Sequence, residues 1–255
     1  MKGKRLYVQL FTGDRRGAGP AVRKSGTGVG LRGISRPIRA IHYVVKNDLS
    51  SRFDGALAAR PGGCGQALVV AAGEVSAVAS VLERQGRTWT PVFGPYSAVI
   101  GRAGFAAPGE KREGDGKTPS GIFPLEEAFG YGERIAFSMP YRRIEEDDVW
   151  VNDPASPDYN GWAKKGRTLA LSFEEMRRKD GLYRIGVVIG YNRNPVRKGL
   201  GSAIFLHPWR GKGTATSGCV AMAEGDLMRI LSWLDPSKKP KAILGVPGPR
   251  GDVHF

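Results

Sequence analysis

The 255-residue sequence predicts a mainly β domain with a few short helices, preceded by a basic, poorly ordered extension. Three observations carry this. Apolar residues come in short runs rich in β-branched side chains, such as Leu182–Tyr191 and Ala203–His207, which read as strands. Thirty-seven glycines and 17 prolines break the chain into many turns. Clear helical spacing occurs in one segment, Glu224–Leu234, where Leu227, Leu231 and Leu234 share a face and Pro236 ends the pattern. Hydrophobic residues at 41% and charged ones at 25% are enough for a sizeable core and exclude a wholly disordered chain. The sequence contains no apolar run of the ~18 residues a membrane-spanning helix needs, and neither a collagen nor a heptad period.

Residues 1–60 hold 13 basic and 3 acidic residues, ten of the fifteen net positive charges. This segment reads as a solvated extension, with binding to an anionic polymer as the competing reading. Its start, Met1-Lys-Gly-Lys-Arg, is basic, but the following apolar run breaks at Thr12-Gly-Asp-Arg-Arg, so no secretory signal peptide is expected in the sequence as given. Pro61-Gly-Gly marks a boundary, and residues 61–250 form the expected domain.

Within it, Gln66–Ala72 is a buried strand, and Val75 to Leu82 fits either period. Pro91–Phe93 and Tyr96–Ile100 are strands parted by Gly94-Pro95, residues 101–121 are a long polar loop, and Gly121–Leu125 resumes apolar character. Arg142–Asp148 reads as a solvated charge run, since its four consecutive carboxylates lack the spacing and histidines of a metal site. Asn152–Trp162 is turn chemistry, Thr168–Ser172 a short strand and Ala242–Val246 the last strand.

Two cysteines, Cys64 and Cys219, make neither a disulfide framework nor a zinc site. Cys64 lies in a Gly-rich linker. Cys219 follows Gly218 and precedes the clearest helix by five residues, a setting expected to favour the thiolate through backbone N–H groups and the helix dipole. His207 ends an apolar strand and could exchange a proton with it, and amides around Gly218 and Cys219 could hold an oxyanion. The same pattern also fits a buried structural cysteine beside a strand-end histidine. Gly114-Asp-Gly-Lys117-Thr118 fails as a phosphate loop, because Lys111 occupies the required glycine position and Pro119 follows at once.

Ile204-Phe-Leu-His207 with Ser217-Gly-Cys219-Val-Ala-Met resembles the active-site segment of the L,D-transpeptidases, the YkuD-like catalytic domain. Lys111 through Phe123, containing Thr118-Pro119 and Gly121, is similar to the same family, and Asn152–Asn160 with Gly190-Tyr-Asn192 resembles its shorter-motif subgroup. The resemblance covers about residues 66–246. It implies a β-sandwich, Cys219 as nucleophile, His207 as base, Gly218 and Ser217 in the motif turn, and no cofactor or metal. It also implies peptidoglycan stem peptides as partners, no nucleic acid, and work in the periplasm or cell envelope.

Three departures bear on substrate binding: a twelve-position spacing from His207 to Cys219, Ser217 in place of a second histidine, and Ala221 where Asn or Arg is common. Arg210 is a candidate carboxylate contact. Tyr191, Asn192, Lys117 and Asp115 are candidate cleft residues, each competing with a turn or packing role. Transpeptidation, hydrolysis by the same pair, and a non-catalytic polymer-binding protein remain the readings to separate. Steep salt dependence of polynucleotide binding would mark the last.

Overall fold

The computed structural model describes residues 10–11, 42–43, 63–72, 75–86, 88–133, 137–247 and 253–254. The extension expected over residues 1–60 lies outside the described residues, except for the antiparallel backbone pair β1 (Leu10–Phe11) and β2 (His42–Tyr43).

The chain then forms β3 (Gln66–Ala72), β4 (Ser76–Gln85) and β5 (Thr88–Val99) as an antiparallel meander. The segment 75–82, ambiguous by periodicity, is therefore strand. β5 runs unbroken through Gly94-Pro95, where two strands were expected, because the β4–β5 register shifts around Val81 and absorbs the irregularity. The loop expected at 101–121 contains a short parallel pair, β6 (Phe105–Ala106) with β7 (Thr118–Pro119).

β8 (Gly121–Gly130), β9 (Tyr141–Arg143), β13 (Ile185–Ile189), β14 (Phe205–Pro208) and β15 (Val220–Met222) complete one side of the main sheet. Helix α1 (Glu224–Trp233) follows, buries Leu227, Ile230 and Leu231, and carries Glu224 and Asp226 in its first turn, where they suit the positive end of the helix dipole. β16 (Lys241–Pro247) then pairs parallel with β3 and antiparallel with β8. That double pairing closes the sheet into a ring in the order β16, β3, β4, β5, β15, β14, β13, β8, with β9 and β17 (Val253–His254) as outliers. The mainly β fold is as expected, and its two layers are the two sides of this continuous sheet.

Side chains alternate between two cores. Val187, Leu206 and Val220 join Leu68, Val70, Leu244 and the helix residues in one. Val188, Phe205 and Cys219 join Phe129, Trp150, Met176 and Tyr183 in the other. The second core is covered by a small sheet, β10 (Asp148–Val151) between β11 (Trp162–Lys164) and β12 (Phe173–Glu175).

Two expectations fail in this cover. Thr168–Ser172 is not a strand: its amides are taken by side-chain acceptors, Leu171 N–H by Asp153 Oδ2 at 2.8 Å and Ala170 N–H by Thr168 Oγ1 at 3.2 Å. Leu169 and Leu171 are left 91% and 93% exposed. The charge run is not wholly solvated either. Asp148 is buried, accepts from Glu145 N–H at 2.8 Å, and pairs with Arg142 at 2.9 Å and Lys164 at 3.3 Å. Burial alone would raise its carboxyl, and these partners hold it below the ordinary value.

Candidate active site

Parallel pairing of β14 with β15 sets Leu206 opposite Val220 and His207 opposite Ala221. Since Leu206 and Val220 share one core, alternation turns Phe205, His207, Cys219 and Ala221 to the other face. His207 in β14 and Cys219, immediately before β15, thus sit two rows apart, about 7 Å of rise. Both line one cavity of about 320 Å³, together with Ser217, Gly218, Arg210, Tyr183, Arg102 and Arg178.

The turn before Cys219 is fixed by two threonines. Thr216 Oγ1 donates to Cys219 O at 2.6 Å and accepts from Gly218 N–H at 3.1 Å. Thr118 Oγ1 donates to Gly218 O and accepts from Gly101 N–H, both at 2.8 Å. Gly218 has φ +151°, and a Cβ there would stand 3.0 Å from Lys117 O. Its amide is occupied by Thr216, so the expected pair of free oxyanion donors reduces to the Cys219 N–H.

The expected dipole effect on Cys219 also fails. β15 separates it from α1, so it is not at the helix N-terminus. Its Sγ donates to Ala203 O at 3.2 Å and accepts from Phe205 N–H at 3.4 Å. Burial pushes the thiol up to about 12, against the opposing hydrogen bond from Phe205. His207 is also buried, with its ring edge-on to Tyr183 at 5.3 Å between centroids. Its Nδ1 lies 2.7 Å from Pro208 O. A carbonyl only accepts, so Nδ1 carries the proton and Nε2 is the basic nitrogen. Burial lowers His207 to about 4, partly offset by the Pro208 hydrogen bond. The resting pair is therefore neutral thiol and neutral imidazole, not a thiolate–imidazolium pair.

Of the other expected site residues, Ser217 reaches the cavity and its Oγ accepts from Arg102 Nη1 at 3.3 Å. Arg210 also reaches it, but is tied to Asp180 at 2.9 Å. Four candidates are absent from the cavity lining. Asp115 accepts from Lys111 Nζ at 2.6 Å and from the amides of Arg112 and Lys117 at 2.8 Å each, which makes it a turn residue. Lys117 meets the site through its backbone, against Gly218. Tyr191 donates to Leu200 O at 2.6 Å, and Asn192 ties the 192–201 loop through Arg197 and Gly201. Cys64 is buried apart from the cavity, donates to Gln66 O at 3.2 Å, and is raised by burial to about 11. Among the described residues no group of three or more His, Cys, Asp or Glu side chains could hold a metal, and no helix is long and apolar enough to cross a membrane.

One residue singled out only as part of the resemblance proves central. Buried Asn160 accepts from Trp150 Nε1 at 3.0 Å and from Ala203 N–H at 3.1 Å, and donates to Tyr191 O and Asn192 O at 3.1 and 2.7 Å. Ala203, at φ 54°, is the residue whose carbonyl receives the Cys219 thiol. Asn160 thus holds the acceptor that orients the thiol. Tyr183 was not foreseen because nothing in its local pattern separates it from core packing. Yet it walls the cavity, with Arg178 Cζ 5.1 Å from its ring centroid.

The profile of the L,D-transpeptidase catalytic domain (YkuD) matches residues 75–243. No curated protein matches. Among solved structures, the chain is similar to a mutant of the helical cell shape determining protein Pgp2 from Campylobacter jejuni, at 15% identity and a TM-score of 0.40, over 79% of this chain and 55% of that one. It is also similar to the unmutated Pgp2, at 14% identity and 0.37, over 71% and 48%. The chain spans about half the length of these two structures.

Proposed function

Because the chain belongs to the L,D-transpeptidase catalytic domain (YkuD) family, we propose that it is a cysteine acyltransferase acting on peptidoglycan stem peptides. The observation that carries this reading is that Cys219 and His207, on one face of adjacent strands, line the same cavity. As the Sγ of Cys219 attacks a stem-peptide carbonyl, its proton passes to His207 Nε2. General-base transfer fits the neutral resting pair, since no thiolate stands ready. With the Gly218 amide held by Thr216, the Cys219 N–H is the motif-turn donor assigned to the developing oxyanion. His207 then protonates the departing amine, leaving a thioester on Sγ. An amine of a second stem peptide or a free D-amino acid attacks the thioester, His207 takes its proton, and Sγ leaves as the thiol. No cofactor enters any step. The catalytic domain is assigned to residues 61–250, and work on peptidoglycan places it at the cell envelope.

The test uses the full chain and its Cys219→Ala variant, each incubated with tetrapeptide-bearing muropeptides and a D-amino acid, with products read by mass spectrometry. Exchange or cross-linked products from the wild type alone are expected, and their masses identify the bond used. Loss of the terminal residue with no acceptor incorporated would make the same pair a carboxypeptidase. No product from folded wild-type protein would overturn the reading.

A further inference from the structure

We propose that Arg102 forms a subsite, at the mouth of the Cys219 cavity, for a carboxylate carried by the peptide beside the bond that Cys219 attacks. The proposal rests on the acyl-transfer reading of the cavity and adds to it the residue that selects the ligand's charge.

Most of the charges in the cavity are already matched. Four cationic side chains line it: Arg102, Lys111, Arg178 and Arg210. Lys111 pairs with Asp115 at 2.6 Å, Arg178 with Asp180 at 2.7 Å and Glu174 at 3.2 Å, and Arg210 with Asp180 at 2.9 Å. The two lining carboxylates are also engaged. Glu174 is held by Arg178, and Glu113 accepts from Tyr159 OH at 2.5 Å and Ser202 Oγ at 2.7 Å. Among the described residues, Arg102 is the one cation of this lining without a carboxylate partner, and its side-chain hydrogen bond is the 3.3 Å contact to Ser217 Oγ. A planar guanidinium with spare donors matches a carboxylate in charge and in geometry.

The position of Arg102 is fixed relative to the nucleophile. Arg102 N–H donates to Thr216 O at 2.9 Å, and Thr216 N–H to Ile100 O at 2.9 Å. The neighbouring Gly101 is tied through Thr118 Oγ1 to Gly218 O. The segment bearing Arg102 and the turn bearing Cys219 are therefore stitched together on both sides. The side chain itself crosses the bare face of Gly116, where a Cβ would stand 3.0 Å from its Cζ. The turn that fails as a phosphate loop instead leaves room for this arginine.

The ligand's carboxylate could be its chain terminus or a side-chain acid, and the two sources are separable. The first measurement does not depend on turnover: alkylation of Cys219 by iodoacetate and by iodoacetamide, which form the same S–C bond with loss of iodide and of the thiol proton but differ in charge. Their rate ratio cancels any change in thiol reactivity. In full-length Arg102→Gln the iodoacetate-to-iodoacetamide ratio is expected to fall about fivefold, the size of one unpaired surface charge acting over several ångströms. Arg102→Lys should keep most of it, and Arg229→Gln, on the exposed side of α1 and outside the cavity lining, should leave it unchanged. An unchanged ratio in Arg102→Gln, or an equal fall in Arg229→Gln, overturns the proposal.

The second measurement compares tetrapeptide substrates with free carboxylates, an amidated C-terminus or an amidated side chain. The amide on which Arg102→Gln no longer changes KM names the source. An equal effect of the variant on all three overturns carboxylate recognition. Turnover by wild type with an unchanged alkylation ratio would refute the subsite alone. A changed ratio with no turnover of any peptide would refute the acyl-transfer reading alone.

Discussion

His207 should make the folded state acid-sensitive. Its burial lowers it to about 4, against an ordinary value of 6.5. Between these pH values the unfolded chain binds a proton at this position and the native protein does not. The associated stability is present above pH 6.5 and is lost as the pH falls through about 4. A gap of about two and a half pK values, at about 1.4 kcal/mol each, gives a loss of about 3 kcal/mol. The assay is urea unfolding at pH 7 and pH 4, followed by tryptophan fluorescence, of wild type and His207→Gln. Glutamine keeps an N–H donor for the Pro208 carbonyl but cannot titrate. The wild type should lose about 3 kcal/mol more than the variant on acidification. In the same pH range kcat/KM of the wild type should stay flat from pH 8 down to about 5 and fall only near 4, because the free base sets the acid limb. Equal acid losses in the two proteins, together with an acid limb near 6.5, would show that His207 titrates as a solvated imidazole and would refute the burial argument.

The remaining predictions concern the scaffold of the site. Asn160→Gly tolerates the φ of 58° but removes the bonds to Trp150, Ala203, Tyr191 and Asn192. A loss of about 3 kcal/mol in chemical denaturation is expected, with a fall in kcat larger than the rise in KM because the thiol's acceptor is freed. Gly218→Ala should fold but lower kcat/KM roughly 100-fold in a steady-state exchange assay, since its Cβ would press on Lys117 O and Ile204 and shift Cys219. Asp148→Asn should cost about 2–3 kcal/mol by thermal unfolding, because Arg142 and Lys164 lose a buried partner.

The strands Gln66–Ala72, Ile185–Ile189 and Phe205–Pro208 are legible as continuous, largely apolar runs buried along their whole length, and the helix Glu224–Trp233 because its buried residues keep a helical spacing. The cover sheet is not. Its outer strands have three residues each, too short for alternation to show, and they border turn-forming stretches that mask them. Thr168–Ser172 misleads for the converse reason. Its apolar pattern suits a strand, but Asp153 and Thr168 capture its amides first, and no propensity of the segment itself reports a competing acceptor elsewhere. Closure of the sheet by β16 against both β3 and β8 joins residues more than a hundred positions apart, and nothing local encodes it.

The candidate site divides along the same line. A glycine turn before Cys219 and a strand ending in His207 are local features, and they suffice to name the two residues. Their charge states are not local. The expected thiolate assumed a helix N-terminus, whereas Cys219 enters a strand inside an aromatic cluster whose members, Phe129, Trp150, Tyr183 and Phe205, come from four different strands or turns. Desolvation by that cluster keeps the proton on sulfur, and burial beside Tyr183 keeps it off His207 Nε2. A site built this way protects a buried thiol until a substrate carbonyl arrives. Acylation then requires proton transfer in the same step as attack, rather than attack by a standing thiolate. Solvent deuterium should therefore slow acylation of wild type in single-turnover mass spectrometry by about twofold or more, as general-base transfer requires. Equal rates in the two solvents would mean that the proton is not in flight as the carbonyl is attacked, and concerted general-base transfer would have to be abandoned.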